Sequence, residues 1–218
     1  MKAKTLLIAA ATLAAGVMHS QAQVYSQNIV GYINVPLNAG NNLIANQLDY
    51  DGTGTNNSIY TSVGTNLPTG TSILAWNGSA FTTSKLLASH SWSGANSQVF
   101  TNATSPGSGF FINVAAPTNV TFVGNVITGT NTYPIAAGFQ IVAPSGPVAG
   151  TLDTTNGYHP SKVGSTGDQI LVWGGASYTT HKWLGTSWSG GDPVLTVGQS
   201  VFLNAVQSTN WTEVLNVQ

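Results

Sequence analysis

The sequence predicts an all-β protein built from two similar repeats of about 90–98 residues, each a small antiparallel sandwich or barrel, packed together through a shared strand segment. Three observations predict it. Short apolar runs alternate with a period of two, and no segment after residue 22 sustains a 3.6-residue period. Gly, Pro, Asn and Ser cluster between the runs. The phrase ILAWNGSAF, Ile73 to Phe81, returns as ILVWGGASY, Ile170 to Tyr178, which sets Trp76 opposite Trp173, 97 residues apart.

The match extends in both directions. Pro36-Leu37-Asn38-Ala39-Gly40 answers Pro134-Ile135-Ala136-Ala137-Gly138, and Leu43-Ile44-Ala45 answers Ile141-Val142-Ala143. Downstream, Trp92-Ser93-Gly94 answers Trp188-Ser189-Gly190, Phe111-Ile112-Asn113 answers Phe202-Leu203-Asn204, and Asn119-Val120-Thr121 answers Asn210-Trp211-Thr212. The offset falls from 98 to 91, so deletions fall in loops. Asn28 to Gly31 also aligns with Val126 to Gly129, and no flexible linker divides the copies. The chain therefore divides into a leader, 1–22, a first repeat, 23–125, and a second, 126–218.

In chain order, alternating apolar residues predict strands at Ile29–Val35, Asn42–Leu48, Ser72–Trp76, Ala80–Leu86, Gly109–Val114 and Val120–Ile127. The second copy gives Thr132–Ile135, Phe139–Ala143, Gln169–Trp173, Ser177–Leu184, Ser200–Ala205 and Trp211–Val217. A short helix is expected near Ser58–Val63. Asn77-Gly78 and Gly174-Gly175 both tolerate positive φ at two successive positions, which predicts type I′ hairpins. That register sets Leu74 opposite Phe81 and Leu171 opposite Tyr178. Ile73 and Ala75 lie opposite Leu74 and Trp76, so the strand is apolar on both faces and Trp76 and Trp173 read as core.

The first residues fit export. Lys2 and Lys4 give a basic start, Thr5 to Met18 is apolar, and Ser20-Gln21-Ala22 offers small residues at a cleavage site before Gln23. The apolar run is shorter than the roughly 20 residues of a membrane span. The expected location is extracellular or periplasmic, with no membrane span in the mature chain. Three lysines against six acids then leave a mature net charge of −3, with no Arg. That excludes the basic footprint of nucleic-acid binding. Only 5% of residues are charged, against about 25% in ordinary domains. Cysteine is absent, so burial and backbone pairing must supply the stability that disulfides often give exported domains.

The segment VYSQNIVGYINVPLNAGNNLIANQL, Val24 to Leu48, with a W-N-G hairpin and a P-G-S-G-F-F strand after it, resembles an uncharacterised family of secreted bacterial β-repeat proteins that begin with VYSxNxVGY after the leader. The resemblance implies export and repeat architecture, and it carries no functional residues. The second copy departs from the pattern, with Val197-Gly198-Gln199-Ser200 in place of Pro106-Gly107-Ser108-Gly109.

Groups able to do chemistry are sparse. Asp49, Asp51 and Asn56 sit in DYDGTGTN, whose alternating oxygen ligands and Gly turn resemble the first half of a calcium loop. Tyr60 stands where an EF-hand needs its bidentate acid, so an Asx-rich turn competes with the metal reading. Calcium is the one cofactor this pattern suggests. Asp168 and Asp192 are the acids a hydrolase would use, though their counterparts in the first copy are not acidic. His90, His159 and His181 show no metal-ligand spacing. No G-x-S-x-G, P-loop or dinucleotide fingerprint occurs. These features point to a secreted non-catalytic surface or extracellular-matrix β-repeat protein, not an enzyme. A carbohydrate-binding module is the alternative, and a secreted hydrolase ranks below it. Partners of either kind would be a cell-surface or extracellular glycan, or further copies of the chain.

Overall fold

A computed structural model describes residues 29–94, 97–158 and 165–216. The leader 1–22, its cleavage point before Gln23, and His159 lie outside the described residues. The fold is all-β and built of small antiparallel sheets, as the alternating pattern predicts.

The first unit opens with β1 (Val30–Leu37) and β2 (Gly40–Ile44), followed by β3 (Ser72–Trp76), β4 (Phe81–Lys85), β5 (Phe110–Val114) and β6 (Thr118–Asn125). β1 pairs with β6 as a two-stranded ribbon, Val30 opposite Asn125 and Leu37 opposite Thr118. The other four form a sheet in the order β2-β5-β3-β4. The second unit repeats this with β7 (Gly129–Ile135), β8 (Gly138–Val142), β10 (Gln169–Trp173), β11 (Tyr178–Lys182), β13 (Val201–Ala205) and β14 (Thr209–Leu215). Its ribbon is β7-β14 and its sheet runs β8-β13-β10-β11. A short extra pair, β9 (Gly150–Thr151) with β12 (Val194–Leu195), joins its loops. The segment 118–135 supplies the last strand of one unit and the first of the next. Each strand pairs within its own unit, and residues 126–128 lie between them.

Both faces of each four-stranded sheet are covered, which is why β3 and β10 carry apolar side chains in succession. Ile73, Ala75, Phe110, Ile112 and Val114 pack with Ile33, Val35, Leu37, Val120 and Phe122 of the ribbon. On the opposite face, Leu43, Leu74, Trp76 and Phe111 meet Ile141, Leu171, Trp173 and Phe202 of the second unit. The layers therefore run ribbon, sheet, sheet, ribbon. Each large apolar side chain so buried contributes about 1.5–3 kcal/mol relative to exposure.

The contacts between units come in reciprocal pairs. Trp76 Nε1 donates to the Phe139 carbonyl (2.8 Å), and Trp173 Nε1 donates to the Asn41 carbonyl (2.9 Å). Ala45 N–H donates to Gly198 O (2.9 Å), and Ala143 N–H to Gly107 O (3.2 Å). In the aligned repeats Asn41 corresponds to Phe139 and Gly107 to Gly198, so the units are related by an approximate twofold axis. The axis explains the last position of the second copy's departure from the P-G-S-G pattern, Ser200 for Gly109. Gly109 and Ser200 are counterparts and touch each other, and a Cβ on Gly109 would stand 2.3 Å from Ser200 Oγ and 2.8 Å from Ile44 O. Only one side chain fits there. Ser200 supplies it, donating to Ile44 O at 2.9 Å.

Two expectations are corrected. The hairpins are not two-residue type I′ turns. Trp76 pairs with Phe81 and Leu74 with Thr83, and Trp173 pairs with Tyr178 and Leu171 with Thr180, so four residues form each loop. The reason is local hydrogen bonding. Asn77 Oδ1 accepts from the N–H groups of Ser79 (3.0 Å) and Ala80 (2.9 Å), while Gly78 alone takes positive φ, at 101°. This is an Asx-type closure. In the second hairpin Gly174 N–H donates to Ser177 O at 2.9 Å and Gly175 takes φ 94°. The second correction is a helix at Gln98–Thr104, which buries Phe100, Ala103 and Thr104. Its apolar spacing spans one turn only, too little for a periodic signal. The helical turn expected near Ser58 is present at Ile59–Val63, as a π-helical turn capped reciprocally by Ser58 and Thr61.

Candidate functional site

The DYDGTGTN loop closes on itself. Asp49 is buried, its Oδ2 accepting from Gly54 N–H (2.8 Å) and its Oδ1 from Asn57 Nδ2 (3.0 Å). Exposed Asp51 accepts from Thr53 N–H (3.0 Å) and Thr53 Oγ1 (2.7 Å), and from Asn56 Nδ2 (3.0 Å). These bonds, the Thr53 hydroxyl first, hold the Asp51 carboxyl below its usual range. The carboxylates of Asp49 and Asp51 face N–H and O–H donors, and Asn56 turns its donor toward Asp51. That is the hydrogen bonding of an Asx-rich turn. The loop has a different consequence. Asp49 exchanges two backbone hydrogen bonds with Asn125 (2.9 and 2.6 Å), and Asn57 Oδ1 accepts from Tyr50 N–H (2.9 Å). Tyr50 is thereby held beside the end of β6.

The other acids are joints as well. Buried Asp168 accepts from the Tyr158 hydroxyl (3.0 Å) and from the N–H groups of Ser165 (2.9 Å) and Val206 (2.7 Å). Burial, with Asp168 alongside, raises the Tyr158 hydroxyl well above its ordinary range. Asp192 accepts from Asp153 N–H at 3.1 Å. His90 and His181 each face a backbone carbonyl, of Thr65 and Gly191. Among the described residues no three of His, Cys, Asp or Glu gather as metal ligands.

One polar cluster had no forecast in the sequence reading. Glu213, 8% exposed, accepts from Ser145 N–H (2.8 Å) and Ser145 Oγ (2.6 Å) through Oε2, and its Oε1 has no partner in hydrogen-bonding geometry. Asn131 lies directly across the ribbon. Burial raises the Glu213 carboxyl above its ordinary value, against the opposing pull of the Ser145 bonds. Burial and then the Glu213 charge push Tyr133 up to about 12. The signal that could have found it is a comparison of the copies position by position. Ile33, Val35 and Phe122 of the first repeat become Asn131, Tyr133 and Glu213 in the second.

The tryptophans are built in. Trp92, Trp183, Trp188 and Trp211 are buried, and Trp76 and Trp173 are half-buried between the units. Trp76 packs on Phe81 and Phe202 with ring centroids 5.0 and 5.8 Å apart, and Trp173 on Tyr178 and Phe111 at 4.8 and 5.5 Å.

Four of the clefts among the described residues fall into two related pairs. One pair lies between the units, about 610 Å³ beside Trp76 and Tyr133 and about 400 Å³ beside Trp173 and Asn41. The other pair lies on each unit's own flank. In the first unit a cleft of about 410 Å³ opens between β6 and the π-helical turn, and in the second a cleft of about 240 Å³ opens between β14 and the turn at 154–157.

Fold and sites together define a two-unit, pseudo-twofold β-sandwich protein whose acids and indoles serve as joints. Compared with protein-family models, curated proteins and solved structures, the chain matches none.

Proposed function

We propose that this chain is a secreted, non-catalytic surface or extracellular-matrix protein of the bacterial β-repeat type that its VYSQNIVGY opening resembles. The observation that supports this reading is where the chemical groups sit. Asp168 takes three donors from its own fold, and the indoles of Trp76 and Trp173 fasten one unit to the other. What faces solvent is chiefly uncharged. The outer faces of the ribbons carry Tyr32, Asn34 and Thr121 in one unit and Thr132, Asn210 and Thr212 in the other. Such faces suit contact with neighbouring surface polymer or with further copies of the chain. No helix among the described residues is long and apolar enough to cross a membrane.

Fractionation of the producing cells with mass spectrometry of the protein tests the reading. The expected result is a chain beginning at Gln23 in the medium or surface fraction, inert toward a panel of chromogenic glycosides and esters. An intact Met1 in the cytoplasm, or turnover that survives purification and is lost in Asp168→Asn, overturns it.

A further inference from the structure

The flank cleft of the first unit joins unused carboxamides to an uncharged lining, whereas its counterpart in the second unit is lined by Glu213. In the clefts between the units several polar side chains are engaged within the fold. Gln140 donates to Ala136 O, Ser108 to Ile141 O, Asn42 to Asn38 O, and Gln199 accepts from Thr196. In the flank cleft, Asn66 and Asn125 have no side-chain hydrogen bond among the described residues.

The apolar part of the wall is equally specific. Tyr50 is 45% exposed, Val30 69% and Val123 51%. The lining contains no Lys, Arg, His, Asp or Glu. A charged ligand would lose hydration there without gaining a partner. The occupant this wall fits has one apolar face, many hydroxyls and no charge.

We propose that the cleft binds a neutral carbohydrate, with a sugar ring lying against Tyr50 between Val30 and Val123 and hydroxyls held by the carboxamides of Asn66 and Asn125. The C–H face of a pyranose matches an aromatic ring, and carboxamides match its edge. A volume of about 410 Å³ falls within the range of small-molecule sites. Asp49 is then a positioning residue, since its carboxylate closes the loop that carries Tyr50. The second unit lacks the platform, because its smaller cleft carries Val148. The proposal goes beyond the surface-protein reading, and either can fail without the other.

The test is a glycan array of neutral and acidic oligosaccharides probed with the intact mature chain, followed by calorimetric titration of the strongest binder. Binding is expected to be confined to neutral glycans. Tyr50→Ala should lower affinity at least tenfold and Asn66→Ala severalfold, while Val148→Ala leaves it unchanged. Tyr50→Leu, which keeps bulk but not the aromatic face, should show the same loss with an unchanged melting temperature. Absence of any neutral binder, preference for acidic glycans, or unaltered binding in Tyr50→Leu overturns the proposal.

Discussion

Replacing Trp76 measures how firmly the two units are joined. Its indole packs on Phe81 and Phe202 and donates to the Phe139 carbonyl across the boundary at 2.8 Å. An aromatic side chain buries about 150–250 Å² when enclosed, and half-buried Trp76 keeps roughly 100–150 Å² of that. At about 25 cal/mol per Å², removal costs roughly 2.5–4 kcal/mol. Trp76→Ala should therefore destabilise the intact mature chain by about 3 kcal/mol. Trp76→Phe keeps most of the ring contact but strands the Phe139 carbonyl, for a loss of about 1 kcal/mol. Trp173→Ala should resemble Trp76→Ala, because its partners are the twofold counterparts. The double variant should fall short of the sum, since Phe111 and Phe202 touch each other and each packs on one of the indoles. Urea unfolding of the variants beside the parent gives these numbers. If both alanine variants unfold within about 1 kcal/mol of the parent, where surface substitutions fall, the indoles are not joints and the reasoning fails.

Three further outcomes follow from particular contacts. Gly109→Ala should cost about 1–3 kcal/mol by overpacking against Ser200 and Ile44 O, and Ser200→Gly in the same chain should recover part of the loss; thermal melts of the single and double variants check it. Glu213 has a raised carboxyl, so the stability it contributes is present below its ordinary pKa and is lost as pH rises through the folded value. Urea midpoints from mildly acid to alkaline pH should thus be flatter in Glu213→Gln, which gains on the parent toward alkaline pH, and a parallel profile for the two chains sinks this. Millimolar calcium should leave the melting temperature unchanged, because the carboxylates of Asp49 and Asp51 already face donors; an upward shift abolished by Asp51→Ala would restore the calcium-loop reading.

Architecture was legible where burial is one-sided or repeated. The phrase around Trp76 recurs because both copies present the same face to each other, and β3 and β10 match their expected bounds, Ser72–Trp76 and Gln169–Trp173. Glycine permits a type I′ turn without requiring it, and the Asn77 side-chain Oδ1, with three donors within reach, sets the loop instead. The twofold axis was hidden in a single departure, Ser200 for Gly109, which has meaning only once the two residues are seen to touch. The flank cleft could not be read at all. Tyr50, Asn66 and Asn125 are scattered along the chain, and nothing local brings them together.

Hydrogen exchange of the Trp76 and Trp173 indole N–H groups, followed by NMR in the intact mature chain, tests the joining of the two units most directly. Each proton is bonded to a carbonyl of the opposite unit. Both should exchange slowly, through openings that approach global unfolding in free energy. Exchange of either at the rate of free tryptophan would contradict the joint and leave the two units only loosely associated.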